Sequence, residues 1–258
     1  MSNFISKKIL RRMNYFSDQK GIIKRYINEE GAWDNHLANT KDYIINFLNS
    51  RSHESVAIMG SGWLLDVPVE YLEKNVKRVM LLDINHPPQV KHKVSRFKNM
   101  ELVVADISGG GISEVFNLVK EQKKTGIRKD PAKIELHGLE LMQKADCIIS
   151  LNILNQLDML LADYLKKFRI YNDSELNCLR KKVQQLHIDS LVPDRSCLIT
   201  DYEEEIYDPD GTLSSRKALI LTELPPAKNE KKWKWHFDSS GSYYTGKKVV
   251  FNVIALEL

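Results

Sequence analysis

The stretch from Ser55 to Glu70, S-V-A-I-M-G-S-G-W-L-L-D-V-P-V-E, constrains the rest of the chain more than any other. Its apolar run, Val56 to Met59, leads into Gly60-Ser61-Gly62. A short apolar run of this kind reads as a buried strand over 55–60. The glycines permit a tight turn and let a ligand approach the main chain. A helix is predicted next, over about 64–74, with Pro68 in its first turns, where the missing N–H matters least. Such a helix start offers unpaired N–H groups to an anion. Strand, glycine turn and helix open a parallel α/β sheet, provided that further strands follow at crossover spacing.

They do. Arg78 to Ile84, R-V-M-L-L-D-I, predicts a second strand that starts 18 residues after Gly60 and carries Asp83 at its end, 23 residues after that glycine. A carboxylate at this distance is placed to accept hydrogen bonds from the hydroxyls of a ribose. A helix over about 88–98 leads to a third strand, Glu101 to Ile107, ending at Asp106. A helix over 112–124 and a polar loop lead, through Gln143 and Lys144, to a fourth strand, Asp146 to Leu151, and Asn152. Strands alternating with helices imply parallel crossovers and a sheet covered on both faces. Residues 156–192 read as helical, broken at Asn172-Asp173-Ser174 with Ser174 as the cap. A fifth strand, Ser196 to Thr200, runs to Asp201 and Tyr202. Residues 215–223 read as a short helix, and Trp233 to Phe237 with Lys248 to Leu256 as an antiparallel hairpin.

The segment before the first strand is helical and basic. Ile5, Ile9, Met13 and Phe16 share a helix face, and Gly21 and Gly31-Ala32 punctuate two further helices. Residues 1–30 hold seven basic and three acidic side chains, which accounts for the whole net charge of +4. A neutral main body does not favour nucleic acid as partner. A helix over 34–50, with Asp34 as cap, places Trp33, His36 and Thr40 on one face near its start. We expect a helical cap or lid over 1–52 and a Rossmann-like domain over 53–258. No apolar run reaches the length of a membrane span. Cys147 and Cys197 lie in apolar runs, and the three cysteines show no metal spacing, so no metal site is expected. Buried, reduced thiols favour a cytoplasmic setting. Ligands of open α/β sheets bind at the strand C-termini, which makes His86, Asn152, Asp201 and Tyr202 candidates for substrate or catalytic contacts. Trp33 and His36 are candidates for a lid over the substrate.

In the order and spacing of these motifs the sequence resembles the class I S-adenosylmethionine-dependent methyltransferases over about residues 50–257. V-A-I-M-G-S-G stands at the glycine-rich first motif, Asp83 at the ribose-binding acid, and Asp106 with Ile107 at the adenine-reading end of the third strand. D-C-I-I-S-L-N-I-L, with Asn152, stands at the fourth motif beside the methyl donor. The resemblance implies a doubly wound sheet of order 3-2-1-4-5-7-6 with the last strand antiparallel. It implies S-adenosylmethionine as cofactor, held by Gly60, Ser61, Gly62, Asp83, Ile84, Asp106, Ile107 and Asn152. Catalytic contacts would come from Asn152 and His86, and substrate or lid contacts from Trp33, His36, Asp201 and Tyr202. The chain departs from the pattern at Ile58, where the family commonly has an acid, and at Leu64, where it has a third glycine. Either the donor's amino-acid end is then held differently, with Asp66 and Ser61 as replacements for the lost carboxylate, or Trp63 partly closes the cofactor pocket. The neutral body favours a small-molecule acceptor. A macromolecule methyltransferase and a non-catalytic cofactor-binding protein are the alternatives.

Overall fold

The structure, a computed structural model, describes residues 5–138 and 144–258. Gln143, expected just before the fourth strand, lies outside them. Three helices, α1 (Lys7–Arg12), α2 (Tyr15–Asn28) and α3 (Asp34–Asn49), precede the sheet. The alternating part then runs β1 (Ser55–Met59), α4 (Val69–Asn75), β2 (Arg78–Asp83), α5 (Pro88–Val94), β3 (Met100–Val104), α6 (Gly111–Thr125) and β4 (Cys147–Leu151). Two helices, α7 (Leu154–Lys166) and α8 (Asp173–Asp189), lead to β5 (Ser196–Tyr207), β6 (Leu213–Ala218), β7 (Lys228–Asp238) and β8 (Lys248–Glu257).

The strand order is β3-β2-β1-β4-β5-β8-β7, with β6 paired to β5 off this path. The pairs among β1 to β5 along this path are parallel, and β8 is antiparallel to both β5 and β7. With β6 set aside, this is the expected order. The alternation along β1 explains the two-faced core: Val56 and Ile58 pack with α3, α4 and α5, while Ala57 and Met59 pack with α1, α6, α7 and α8. Ile58 is thus fully buried between sheet and helices.

Several local expectations need correction. The helix after the glycine turn starts at Val69 rather than near 64, because Leu64 takes a left-handed φ of 60° and Val67 precedes a proline. Gly21 does not punctuate; it lies inside α2. The cap of α8 is Asn172, which forms a reciprocal capping box with Glu175. Asp34 sits in the first turn of α3, after Trp33. Residues 213–218 form a strand, not a helix. β6 pairs with the far half of β5, and Arg216 bonds Glu205 across that pair at 2.7 Å. Cys147 and Cys197 are buried free thiols.

Candidate functional site

The parallel strands end on one edge, and a cavity opens there. It encloses about 1050 Å³ of free space, its open mouth included. The floor is built by the chain leaving β1, β2, β3 and β4; α2 and α3 form the roof.

The glycine turn is welded to its neighbours. The N–H groups of Gly60 and Ser61 donate to the Leu82 carbonyl at 3.0 and 3.2 Å. A side chain at Gly60 would put its Cβ 2.5 Å from the Leu151 carbonyl, and φ is +80° there, so only glycine fits. The Gly62 N–H donates to Oδ2 of Asp83 at 2.8 Å. That bond fixes the carboxylate of β2 against the loop of β1. Ile84 follows it on the cavity wall. Asp106 lies two residues beyond β3. Its Oδ1 accepts from the N–H and hydroxyl of Ser108 at 3.0 and 2.5 Å, and its buried Oδ2 has no partner. Ile107 lines the cavity beside it.

Asn152 follows β4 with a left-handed φ of 46°, a conformation that asparagine tolerates better than most residues. Its side-chain amide lies 2.8 Å from Asp66 Oδ2 and 3.3 Å from His36 Nε2. The His36 ring stacks on Trp235 with centroids 4.0 Å apart, and Trp33 meets the same indole edge-on. Burial lowers the pKa of His36 to about 3, so the ring is neutral. Trp33, His36, Trp63, Asp66 and Trp235 all line the cavity.

The roof over the other half is α2, whose Tyr15, Asp18, Gln19 and Ile22 face the cavity. Gln19 exchanges side-chain bonds with Asn85, 2.9 Å to its carbonyl and 2.8 Å from its amide. The indole N–H of Trp63 donates to the Gln19 carbonyl at 2.7 Å. None of these α2 residues stood among the sequence candidates, although the spacing 15, 18, 19, 22 is one helix face and is legible in the chain.

Gly60, Gly62, Asp83, Ile84, Asp106, Ile107, Asn152, Trp33 and His36 therefore share one cavity. Four sequence candidates do not line it. Ser61 is buried with its hydroxyl turned to the Leu82 carbonyl. His86 folds under β3, with Nε2 3.2 Å from the Val103 carbonyl. Asp201 and Tyr202 are not at a strand end, because β5 continues to Tyr207, and Asp201 is buried against the amide of Asn155 at 2.6 Å.

Charge in the cavity is one-sided. Asp18, Asp66, Asp83 and Asp106 contribute carboxyls, and no lysine or arginine is among the described lining residues. Burial is the largest influence on each and pushes all four above the usual carboxylate range. Among the described residues no cluster of three or more histidine, cysteine, aspartate or glutamate side chains is placed to hold a metal ion.

No family model matches the chain. No curated protein matches it either. Among solved structures it is similar to the N-methyltransferase NodS from Bradyrhizobium japonicum WM9, in complex with S-adenosyl-L-homocysteine. Identity is 12%, coverage 84% of this chain and 85% of that one, and the TM-score 0.37. It is also similar to the Burkholderia thailandensis 1,6-didemethyltoxoflavin-N1-methyltransferase, at 12% identity, with 96% and 88% covered and a TM-score of 0.42. Coclaurine N-methyltransferase, bound to N-methylheliamine and S-adenosylhomocysteine, is similar at 10% identity, with 87% and 71% covered and a TM-score of 0.40. On its own strand order and strand directions, the chain has the Rossmann-like fold of the class I S-adenosylmethionine-dependent methyltransferases.

Proposed function

We propose that the chain transfers the methyl group of S-adenosylmethionine to a small-molecule acceptor. The observation that carries this reading is the cavity itself: four carboxyls, three indoles and no cationic side chain among its described lining. Such a wall favours a cationic guest of sulfonium type and disfavours nucleotide phosphates. When bound, the cofactor supplies an activated methyl on sulfur; the protein supplies position and exclusion of water.

The residues present fit that group. Asp106 Oδ2, buried and without a partner, is an acceptor waiting for an amino group such as that of adenine. Asp83 takes the Gly62 N–H on Oδ2 and meets the Asn85 N–H at a long 3.4 Å on Oδ1, which leaves that oxygen with capacity for a ribose hydroxyl. Gly62 leaves room for the ligand at the main chain, since a Cβ there would meet only the Gly60 carbonyl, at 3.7 Å. Trp33 and His36 close the acceptor side, and residues 1–52 act as the lid, α2 over the donor and α3 over the acceptor.

A macromolecular acceptor has one observation in its favour. A second hollow, lined by Lys8, Arg12, Lys120 and Lys123, lies one helical turn from the cavity along α6 and α7. Its floor of Ile9, Phe116, Val119 and Tyr164 has no acidic side chain. The small-molecule reading is preferred because the main cavity is roofed by two helices.

Titration calorimetry with S-adenosylmethionine and S-adenosylhomocysteine tests the proposal. Both ligands should bind, and Asp83→Ala should weaken them by about tenfold or more, the loss of a charged hydrogen bond. Absence of binding by the intact chain would overturn the reading.

A further inference from the structure

Of the four carboxyls in the cavity, three have a use or a counter-charge. Asp83 and Asp106 face the nucleoside end of the donor, as proposed above. Asp18 has Arg25 near it to offset its charge. Asp66 stands apart. It is half-buried, and its Oδ2 accepts from the Asn152 amide at 2.8 Å. The one cation that pulls on it, Lys41 of α3, does not line the cavity. A carboxylate set into a wall with one amide bond and no ion pair is costly unless a guest brings the opposite charge.

The surroundings of Asp66 are those of the acceptor side. The Asn152 amide that bonds it also lies 3.3 Å from His36. His36 lies flat on Trp235, centroids 4.0 Å apart, and Trp33 meets the same indole edge-on at 4.8 Å. All three rings line the cavity together with Asp66. This wall offers rings rather than donors. The Trp33 N–H is spent on the Phe237 carbonyl at 3.1 Å, and the Trp235 N–H is fully buried. His36 is neutral, so Asp66 carries the only formal charge on this side. Aromatic rings and a carboxylate both attract a cation, and neither rewards an anion.

We infer that the methyl acceptor is an amine, taken up in its ammonium form with an N–H donated to Asp66 and its apolar part against Trp33, His36 and Trp235. The inference rests on the methyl transfer proposed above and names its substrate class. The bound ammonium favours the ionised carboxyl and so opposes the burial that pushes Asp66 upward. Before attack, one ammonium proton passes to the Asp66 carboxylate, which frees the nitrogen lone pair. The lone pair forms the N–CH3 bond as the S–CH3 bond breaks, its electrons staying on sulfur. The products are S-adenosylhomocysteine and the N-methylated ammonium, and Asp66 returns its proton to water.

Two probes of matched size read the charge preference: benzylamine, an ammonium at neutral pH, and benzyl alcohol. Each is titrated by NMR into the intact chain saturated with S-adenosylhomocysteine. Benzylamine should bind more tightly by about tenfold or more, the gain of a charged hydrogen bond. Asp66→Asn keeps the shape of the wall and should remove that preference. The same variant should bind S-adenosylhomocysteine within about threefold of the intact chain by calorimetry, which shows that it is folded and that the donor does not depend on Asp66. Equal binding of the two probes, or binding of neither, would overturn the inference, as would a preference that survives in Asp66→Asn. A tenfold loss of S-adenosylhomocysteine in Asp66→Asn would overturn it too, by giving Asp66 to the ammonium of the donor itself. With S-adenosylmethionine present, methyl transfer to benzyl alcohol and not to benzylamine, read by mass spectrometry, would count against it equally. These failures leave the methyl transfer proposed above standing; only a chain that binds no S-adenosylhomocysteine brings that reading down.

Discussion

At the scale of single residues, the site depends on positions whose backbone leaves no choice. Gly60 is the clearest. Its φ of +80° and the 2.5 Å approach of the Leu151 carbonyl leave no room for a side chain. Gly60→Ala should destabilise the chain by more than about 1 kcal/mol, through strain and overpacking together, measured by chemical denaturation. Residues of this kind were legible in the sequence, because a glycine turn between an apolar run and a helix has few other uses. Asp83 and Asp106 were legible for a related reason: parallel strands deliver their ends to one edge. His86, Asp201 and Tyr202 were not. Nearness to a strand end says nothing about which way the backbone turns next. His86 turns inward to the Val103 carbonyl, and β5 simply does not end where its apolar run does. Trp235 read only as part of the terminal hairpin, yet its ring is the floor beneath His36. That pairing spans 199 residues of sequence, and no local pattern encodes it.

At the scale of elements, the alternating part of the fold could be read from periodicity and spacing, whereas β6 could not. S-S-R-K-A suits either a helix or a strand, and pairing along the extended half of β5 decides it. Every residue of β6 is exposed, so its hold on the sheet is the ladder to β5 with surface polar bonds, Arg216 to Glu205 and Glu203 and Lys247 to Ser214. Arg216→Ala should loosen β6 without unfolding the sheet, seen as faster hydrogen exchange over 213–218 and a nearly unchanged melting temperature. The N-terminal helices were readable as helices, but their seat was not, since amphipathicity names a buried face and not what buries it. The structure seats α2 over Asp83 and the glycine loop. Gln19 supplies two side-chain bonds to Asn85. Gln19→Ala should raise the dissociation constant for S-adenosylhomocysteine by about three- to tenfold, one net hydrogen bond, in the same calorimetric titration.

At the scale of the whole molecule, buried acids and buried histidines pull the pH dependence of stability in opposite directions. Burial raises the pKa of Asp201 to about 6. The folded state then holds a proton that the unfolded chain has released, so this contribution is present below the unfolded value and is lost as pH rises through about 6. His36 and His187 are lowered by burial to about 3 and about 4, and stability from them is lost as pH falls below the unfolded histidine value. Asp201→Asn removes only the first effect. It should raise the melting temperature at pH above about 7, with the gain shrinking toward pH 5, as followed by calorimetry across pH. The strap formed by α2 also governs how a ligand leaves the cavity. It is pinned by Trp63 and Asn85 across the mouth of the donor half. A ligand seated beneath it leaves only when those bonds open. Under the function proposed above, release of the spent cofactor would wait on those bonds, and Gln19→Ala should speed it, as read by stopped-flow displacement of S-adenosylhomocysteine.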